Sequence, residues 1–99
     1  MAEPRLTSQT LSVLGAIFAE PNSSGADIAR ETGLPSGTLY PILLRLETAG
    51  WLTSEWEGGA PAELGRPRRR YYRVTAEGAR QGRAAANEMA RTVERLSWA

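Results

Sequence analysis

The sequence predicts a mostly helical α+β fold with one small β-hairpin, and three observations support this prediction. A helical pattern at residues 36–49 stops at Gly50 and leads directly into a strand pattern at 52–56. A second strand pattern, at 71–75, follows a loop rich in glycine and arginine. A long helical pattern then occupies residues 76–97. A helix followed by a two-stranded hairpin with a basic tip is the layout of a winged helix-turn-helix.

Two shorter helices are expected before this unit. Residues 6–19 carry apolar side chains at helical spacing, Thr7 or Ser8 can cap the start, and Pro21 ends the segment. Residues 26–32 form a second helix with Gly33 as its C-terminal stop. Ser23 and Ser24 are assigned to a turn, with a very short strand at this position as the less favoured alternative. The apolar residues of the first helix are Leu11, Leu14, Ile17 and Phe18.

The helix at 36–49 has one apolar and one polar side. We expect Ser36 to cap it through its hydroxyl group. Its apolar stripe follows the i, i+3, i+4, i+7 rule and consists of Leu39, Ile42, Leu43 and Leu46. The opposite face carries Thr38, Pro41, Arg45 and Thr48, with Tyr40 beside it. A short helix, a tight turn and this longer helix together predict a helix-turn-helix.

The two strands are expected to alternate between the core and solvent. This alternation places Leu52 and Trp56 of the first strand, and Tyr72 and Val74 of the second, toward the core. The loop at 58–67 has several glycines and prolines and no apolar pattern. We therefore expect it to be irregular and mobile.

The last helix, capped by Thr75, is expected to support a dimer. Its small and apolar residues recur at alternating spacings of three and four, which is the rhythm of a coiled-coil seam. Packing on its own domain is the alternative use of such a face. The division predicted is a DNA-binding domain at 1–75 and a dimerisation helix at 76–99. The expected dimer contacts are Ala86, Met89, Val93, Leu96 and Trp98.

The charge distribution indicates a polyanionic partner. The 99 residues have a net charge of only +1, and all twelve basic residues are arginine. Five of these arginines lie within residues 66–73, with no carboxylate among them. Arginine presents a fork of donors that suits phosphate and guanine edges. The residues predicted to contact DNA are Ser36, Gly37, Thr38, Tyr40, Pro41, Arg45, Arg66, Arg68, Arg69 and Arg70.

Several other functions are disfavoured by composition. The chain has no cysteine and no histidine, so disulfides, the usual zinc sites and the commonest general base are missing. No nucleophile or metal set converges with the carboxylates, and we expect neither an enzyme nor a bound cofactor. The N-terminal residues lack an apolar signal core, and no apolar run reaches the ~20 residues that span a bilayer. We expect a cytoplasmic protein that does not contact membranes.

Several motifs together resemble the PadR family of bacterial transcriptional regulators. They are SGTLYP at 36–41, RLE at 45–47, GWL at 50–52, GRP at 65–67 and YYRVTAEG at 71–78. The resemblance covers about residues 10–80 and is to the short subfamily, which has a single C-terminal dimerisation helix. It implies a homodimeric winged helix that represses promoters through palindromic operators. It also implies that the helix beginning at Ser36 and the wing contact double-stranded DNA.

Two other functions remain open at this stage. A winged helix can serve as a protein-interaction module, in which case the wing arginines would face an acidic partner. Alternatively, the dimer interface around Met89 and Trp98 could hold a flat aromatic effector, since methionine and aromatic side chains suit such molecules. Plain dimer packing explains the same two residues.

Overall fold

The computed structural model describes Pro4 and residues 6–97. Five helices and three strands follow one another in this part of the chain, and they confirm the predicted mostly helical winged helix-turn-helix. In order they are α1 (Ser8–Ala19), β1 (Ser23–Ser24), α2 (Gly25–Thr32), α3 (Ser36–Thr48), β2 (Leu52–Trp56), α4 (Pro61–Leu64), β3 (Arg70–Val74) and α5 (Ala76–Ser97).

The starts of α1 and α2 are fixed by side-chain caps. The Thr7 hydroxyl accepts a hydrogen bond from the Thr10 backbone N–H at 3.1 Å, so α1 begins two residues later than expected. Ser24 and Asp27 form a capping box in which each side chain accepts from the other's backbone N–H at 3.1 Å. Together these bonds satisfy backbone donors that the first turn of a helix leaves without partners. Gly33 ends α2 in the left-handed conformation, as predicted.

The start of α3 differs from the prediction. Ser36 is the first helical residue and not the cap; the cap position is occupied by Pro35, which has no side-chain hydrogen bond to offer. The Pro35 carbonyl accepts from the Thr38 and Leu39 backbone N–H groups, both at 2.9 Å. Proline fixes the extended backbone that a cap position requires, so a polar side chain is not needed there. The predicted apolar stripe of α3 is fully buried, as expected.

The sheet has three antiparallel strands in the order β1-β3-β2. The favoured turn at Ser23 and Ser24 was wrong and the alternative of a very short strand is correct, because these residues pair with Tyr72 and Tyr71 of β3. Leu52 and Tyr72 are buried as predicted, and Val74 packs against the core.

Trp56 is the second departure in the sheet. It was expected in the core but is 58% exposed, whereas Trp51, one residue before β2, is buried. Trp56 is the last residue of β2 and pairs with Arg70 at the outer end of the sheet. Along β2 only Leu52 is buried, Ser54 is half-buried and Trp56 is exposed, so burial decreases toward this end of the strand.

The loop between β2 and β3 is more ordered than predicted. It contains the short helix α4, which begins with Pro61 at its N-terminal turn and ends at Gly65 with φ +69°. Proline suits the first turn of a helix and glycine suits a left-handed stop. Residues 61–64 of the wing are therefore helical and not irregular as predicted.

The last helix, α5, is anchored only at its base. Thr75 caps it, since its hydroxyl accepts from the Gly78 backbone N–H at 3.0 Å, as predicted. Gly78, Gly82 and Ala85 are buried against the domain, while every described residue from 86 to 97 is exposed. No helix in the described part of the chain is long and apolar enough to cross a membrane.

Candidate nucleic-acid interface

One side of α3 is open to solvent and carries most of the residues predicted to contact DNA. Ser36, Gly37, Pro41 and Arg45 are exposed, and Thr38 is half-buried. The side chains in the first turn of the helix are short, so a ligand could approach the backbone N–H groups of that turn. Backbone N–H groups and the positive end of the helix dipole favour a phosphate at such a position.

Tyr40 occupies the border between this face and α2. Its side chain lies against Gly25, where a β-carbon would come within 2.7 Å of the tyrosine hydroxyl oxygen. Gly25 therefore makes room for the ring, and the ring remains about half exposed. The hydroxyl oxygen is the part of the side chain that lies nearest to Gly25.

Leu44 is a surface residue that the sequence reasoning missed. It lies on α3 one turn beyond Tyr40 and is 67% exposed. The i, i+3, i+4, i+7 stripe of α3 leaves Leu44 out, and this spacing is the signal that could have assigned it to the surface. An exposed leucine on a helix that enters the major groove can contact the methyl group of thymine.

The wing contains a cluster of hydrogen bonds around Glu57. The Arg66 guanidinium donates two bonds to the Glu57 carboxylate, at 2.6 Å and 2.9 Å. The Arg69 backbone N–H and the Tyr71 hydroxyl also donate to this carboxylate, each at 3.3 Å. These bonds, the Arg66 bond first, lower the pKa of Glu57 from its ordinary 4.5 to about 2. The cluster orders the wing and balances the charge of Arg66, which was predicted as a DNA contact.

Arg70 is also engaged within the protein. Its Nε donates to the Ser54 hydroxyl at 2.7 Å, and its Nη2 lies 3.5 Å from the Glu47 carboxylate. Its guanidinium carbon lies 5.2 Å from the centre of the Trp56 ring, which is the geometry of a cation–π contact. The sequence predicted Arg70 as a DNA contact, and it gave no indication of these partners in α3 and β2.

The remaining wing arginines point to solvent. Arg68 and Arg69 are exposed. Among the described residues, no carboxylate lies within ion-pairing distance of either side chain or of Arg45. These three arginines therefore carry uncompensated positive charge on the surface.

A groove of about 730 Å³ runs between α3 and the wing. It brings together Tyr40, Arg66, Arg68, Arg69 and Arg70 of the predicted set, along with Leu44 and Trp56. Ser36, Gly37, Thr38, Pro41 and Arg45 do not line it, and they lie on the adjoining surface of α3. The structure thus brings five of the ten predicted residues together in one groove, while the other five lie elsewhere on α3.

A second, apolar groove lies between α1 and α5 and has a volume of about 710 Å³. Ala86, Met89 and Val93 of the predicted dimer set line it, opposite Leu11 and Phe18 of α1. Leu96 is exposed one turn beyond Val93. Trp98 lies outside the described residues.

These features define the chain as a winged helix-turn-helix protein with a basic face on α3 and the wing. Residues 23–84, more than half of the chain, match the Transcriptional regulator PadR-like family. The chain belongs to this family, as its motifs predicted. The family is one of transcriptional regulators and not of enzymes. No curated protein matches the chain.

Several solved structures share the fold. The PcaV transcriptional regulator from Streptomyces coelicolor, solved with its natural ligand, is 27% identical with a TM-score of 0.80 over 96% of this chain and 62% of that one. A PadR family transcriptional regulator from Eggerthella lenta is 29% identical, with a TM-score of 0.71 over 89% and 79%. The protein smu.1704 from Streptococcus mutans is 25% identical, with a TM-score of 0.77 over 97% and 89%. The chain thus spans less than two thirds of the length of PcaV.

Proposed function

We propose that the chain binds double-stranded DNA in a sequence-specific manner and represses transcription as a homodimer on a palindromic operator. The observation that carries this proposal is the single groove whose walls are α3 on one side and the arginine-rich wing on the other. A duplex laid across this face would meet α3 in the major groove. The wing would then reach the adjoining phosphates or the minor groove.

Affinity and selectivity come from different residues in this proposal. Arg45, Arg68 and Arg69, which lack carboxylate partners among the described residues, would contact phosphate. Such contacts position a protein on DNA but carry no direct sequence information. Base edges would be met by the exposed side of α3, including Leu44. A regulator acting on chromosomal DNA in this way would work in the bacterial cytoplasm.

The homodimer rests on the apolar surface shared by α1 and α5. Met89, Val93 and Leu96 are exposed in the single chain, and Val93 is 55% exposed. A second copy packed against this surface would remove these side chains from water. A two-fold dimer would then present two α3 helices to half-sites about 34 Å apart, one turn of DNA. In this arrangement residues 1–75 bind DNA and residues 76–99 form the dimer.

A small aromatic effector is a further part of the proposal. The groove between α1 and α5 has the volume of a small-molecule site and is lined mainly by apolar side chains. PcaV, which shares the fold, was solved with its natural ligand. A planar compound held against Phe18 and Met89 would lie in this groove. Isothermal titration calorimetry with planar aromatic compounds tests it, and the absence of binding heat for every compound would remove the effector from the proposal.

The experiment that tests DNA binding is a gel shift with the DNA upstream of the protein's own coding region. Random DNA of equal length serves as the control, and both are measured across a salt series. Tight, salt-steep binding to the upstream DNA alone supports a self-regulating repressor. Weak and equal binding to both would show only that the arginine cluster attracts polyanions. Distant operators would then be tested, and after them the alternative, a winged helix whose basic face meets an acidic protein.

A further inference from the structure

Arg70 joins three elements of the domain through one continuous chain of hydrogen bonds. Its Nε donates to the Ser54 hydroxyl at 2.7 Å, and that hydroxyl donates to the Glu47 carboxylate, also at 2.7 Å. The Arg70 Nη2 lies 3.5 Å from the same carboxylate oxygen. Glu47 belongs to the last turn of α3, Ser54 to β2, and Arg70 is the first residue of β3.

These partners hold the guanidinium in one orientation. Trp56 covers one of its faces, while Ser54 and Glu47 take donors along its edge. The side chains of Arg70 and Glu47 are only 37% and 31% exposed. Partial burial strengthens a charge-assisted hydrogen bond relative to one at a fully exposed site. The arginine is therefore held more firmly than Arg68 and Arg69, which precede it.

This network is also the polar link between α3 and the wing. Among the described residues, Glu47 is the only α3 residue whose side chain is hydrogen-bonded or ion-paired to a strand. Arg70, at the other end of the link, directly follows the two exposed arginines of the wing. Any tilt of the wing relative to α3 must break or stretch these bonds.

We propose that Arg70 is a positioning residue that sets the placement of the wing arginines relative to α3 and thereby contributes to sequence selectivity. This inference rests on the proposed function, because it assumes that α3 and the wing engage the same duplex. The competing role is the one that the sequence suggested, a direct contact from Arg70 to phosphate. The two roles differ in what they do to the salt dependence of binding.

The experiment begins with a duplex that the wild-type protein enriches from a random DNA library. Affinity for this duplex and for a scrambled duplex is measured across a salt series. The variants are Arg70→Ala, Arg70→Lys, Glu47→Gln, and Arg70→Ala combined with Glu47→Gln. Arg68→Ala is the matched control, because it removes the same charge from an exposed neighbour. Circular dichroism selects a temperature at which each variant is folded.

The positioning role predicts a loss of selectivity at an unchanged salt slope. Arg70→Ala should lower the ratio of the two affinities by about fivefold or more, the size expected when one coupled network is broken. Glu47→Gln should lower the ratio in the same direction, and the double variant should be no worse than Arg70→Ala alone. Arg70→Lys should restore little of the lost selectivity, since an ammonium group cannot replace the planar fork of donors of the guanidinium. Arg68→Ala should instead reduce the slope by about 0.9 per phosphate contact and leave the ratio nearly intact.

Two results would overturn the inference while leaving DNA binding in place. One is a reduced salt slope for Arg70→Ala, and the other is an unchanged affinity ratio for both Arg70→Ala and Glu47→Gln. If Arg70→Ala does not fold, Glu47→Gln decides, because it keeps the shape of the side chain and an acceptor for Ser54. A wild-type protein that enriches no duplex would refute the proposed function itself, and the inference with it.

Discussion

The Arg66 guanidinium and the Glu57 carboxylate face each other across the base of the loop that contains α4, and two hydrogen bonds join them. This pair joins the two ends of the loop between residues 57 and 66. Two further donors, from Arg69 and Tyr71, converge on the same carboxylate. The Glu57 carboxylate is thus the acceptor on which Arg66, Arg69 and Tyr71 converge, and its ionised form is favoured in the folded protein.

The first prediction concerns pH. The pKa of Glu57 is lowered from 4.5 to about 2 in the folded protein, so its ionised form favours folding. The stabilisation is fully present above pH 4.5 and is lost as the pH falls toward 2. Carboxyl NMR should show Glu57 titrating near pH 2 in the wild type and closer to 4.5 in Arg66→Ala. A Glu57 midpoint that does not move in Arg66→Ala would contradict the pairing.

The second prediction concerns the exposed wing arginines. Replacing Arg68 and Arg69 by alanine should weaken binding to all DNA sequences by a similar factor. The log–log salt slope should fall by about 0.9 for each phosphate that the variant no longer neutralises, because fewer counterions are released. Arg91→Ala with Arg95→Ala is the control, since it removes the same charge from the outer part of α5. Equal slopes for both double variants would exclude the wing from phosphate binding.

The third prediction concerns assembly. Val93→Asp should convert a dimer into monomers at micromolar concentration, because it would bury a charge without a partner in the apolar seam. Analytical ultracentrifugation measures the outcome directly. Asn87→Asp introduces the same charge at an exposed position about 120° around the helix from Val93, and it should stay dimeric. A dimeric Val93→Asp would show that the two copies meet elsewhere.

The fourth prediction concerns the base of α5. A β-carbon at Gly78 would overlap the Trp51 carbonyl oxygen, which belongs to the backbone and cannot move aside. Gly78→Ala should therefore lower the free energy of unfolding by about 1–3 kcal/mol, the usual cost of overpacking. In urea denaturation, Gly15→Ala is the control: its β-carbon meets nothing within 4 Å, and alanine favours a helix by up to about 1 kcal/mol. Equal midpoints for the two variants would contradict this account.

Much of the fold could be predicted because the spacing of apolar residues and the residues that begin or end helices indicate the same elements. The apolar stripe of α3, the stop at Gly33 and the Thr75 cap each follow from local chemistry. Ser23 and Ser24 could not be identified as a strand, because two residues carry no periodic signal and their pairing depends on β3. The position of Trp56 beside Arg70 likewise depends on how β2 pairs with β3, which no local pattern records.

The candidate interface was predicted less completely than the fold. A run of arginines identifies a basic wing but does not distinguish Arg68 from Arg66 and Arg70. That distinction depends on Glu57 and Glu47, which lie nine and twenty-three positions away in the chain from the arginines they face. Folding brings these pairs together, so the division of the cluster into structural and solvent-facing arginines appears only in three dimensions.

The close contact at Gly78 is part of a firm attachment of α5 to residues 50 and 51, and this attachment affects how a dimer would place its two DNA-binding domains. The Thr75 backbone N–H donates to the Trp51 carbonyl at 2.9 Å, and the Thr75 hydroxyl donates to the Gly50 carbonyl at 2.7 Å. The root of α5 is thereby fixed directly to the backbone that follows α3. In a dimer joined along α5, any rotation of that helix would therefore be transmitted to α3 through this attachment. One residue inserted after Gly82 would rotate the dimer contacts on the outer part of α5 by about 100° relative to the rest of the domain. The two α3 helices of the dimer would then no longer face half-sites one turn of DNA apart.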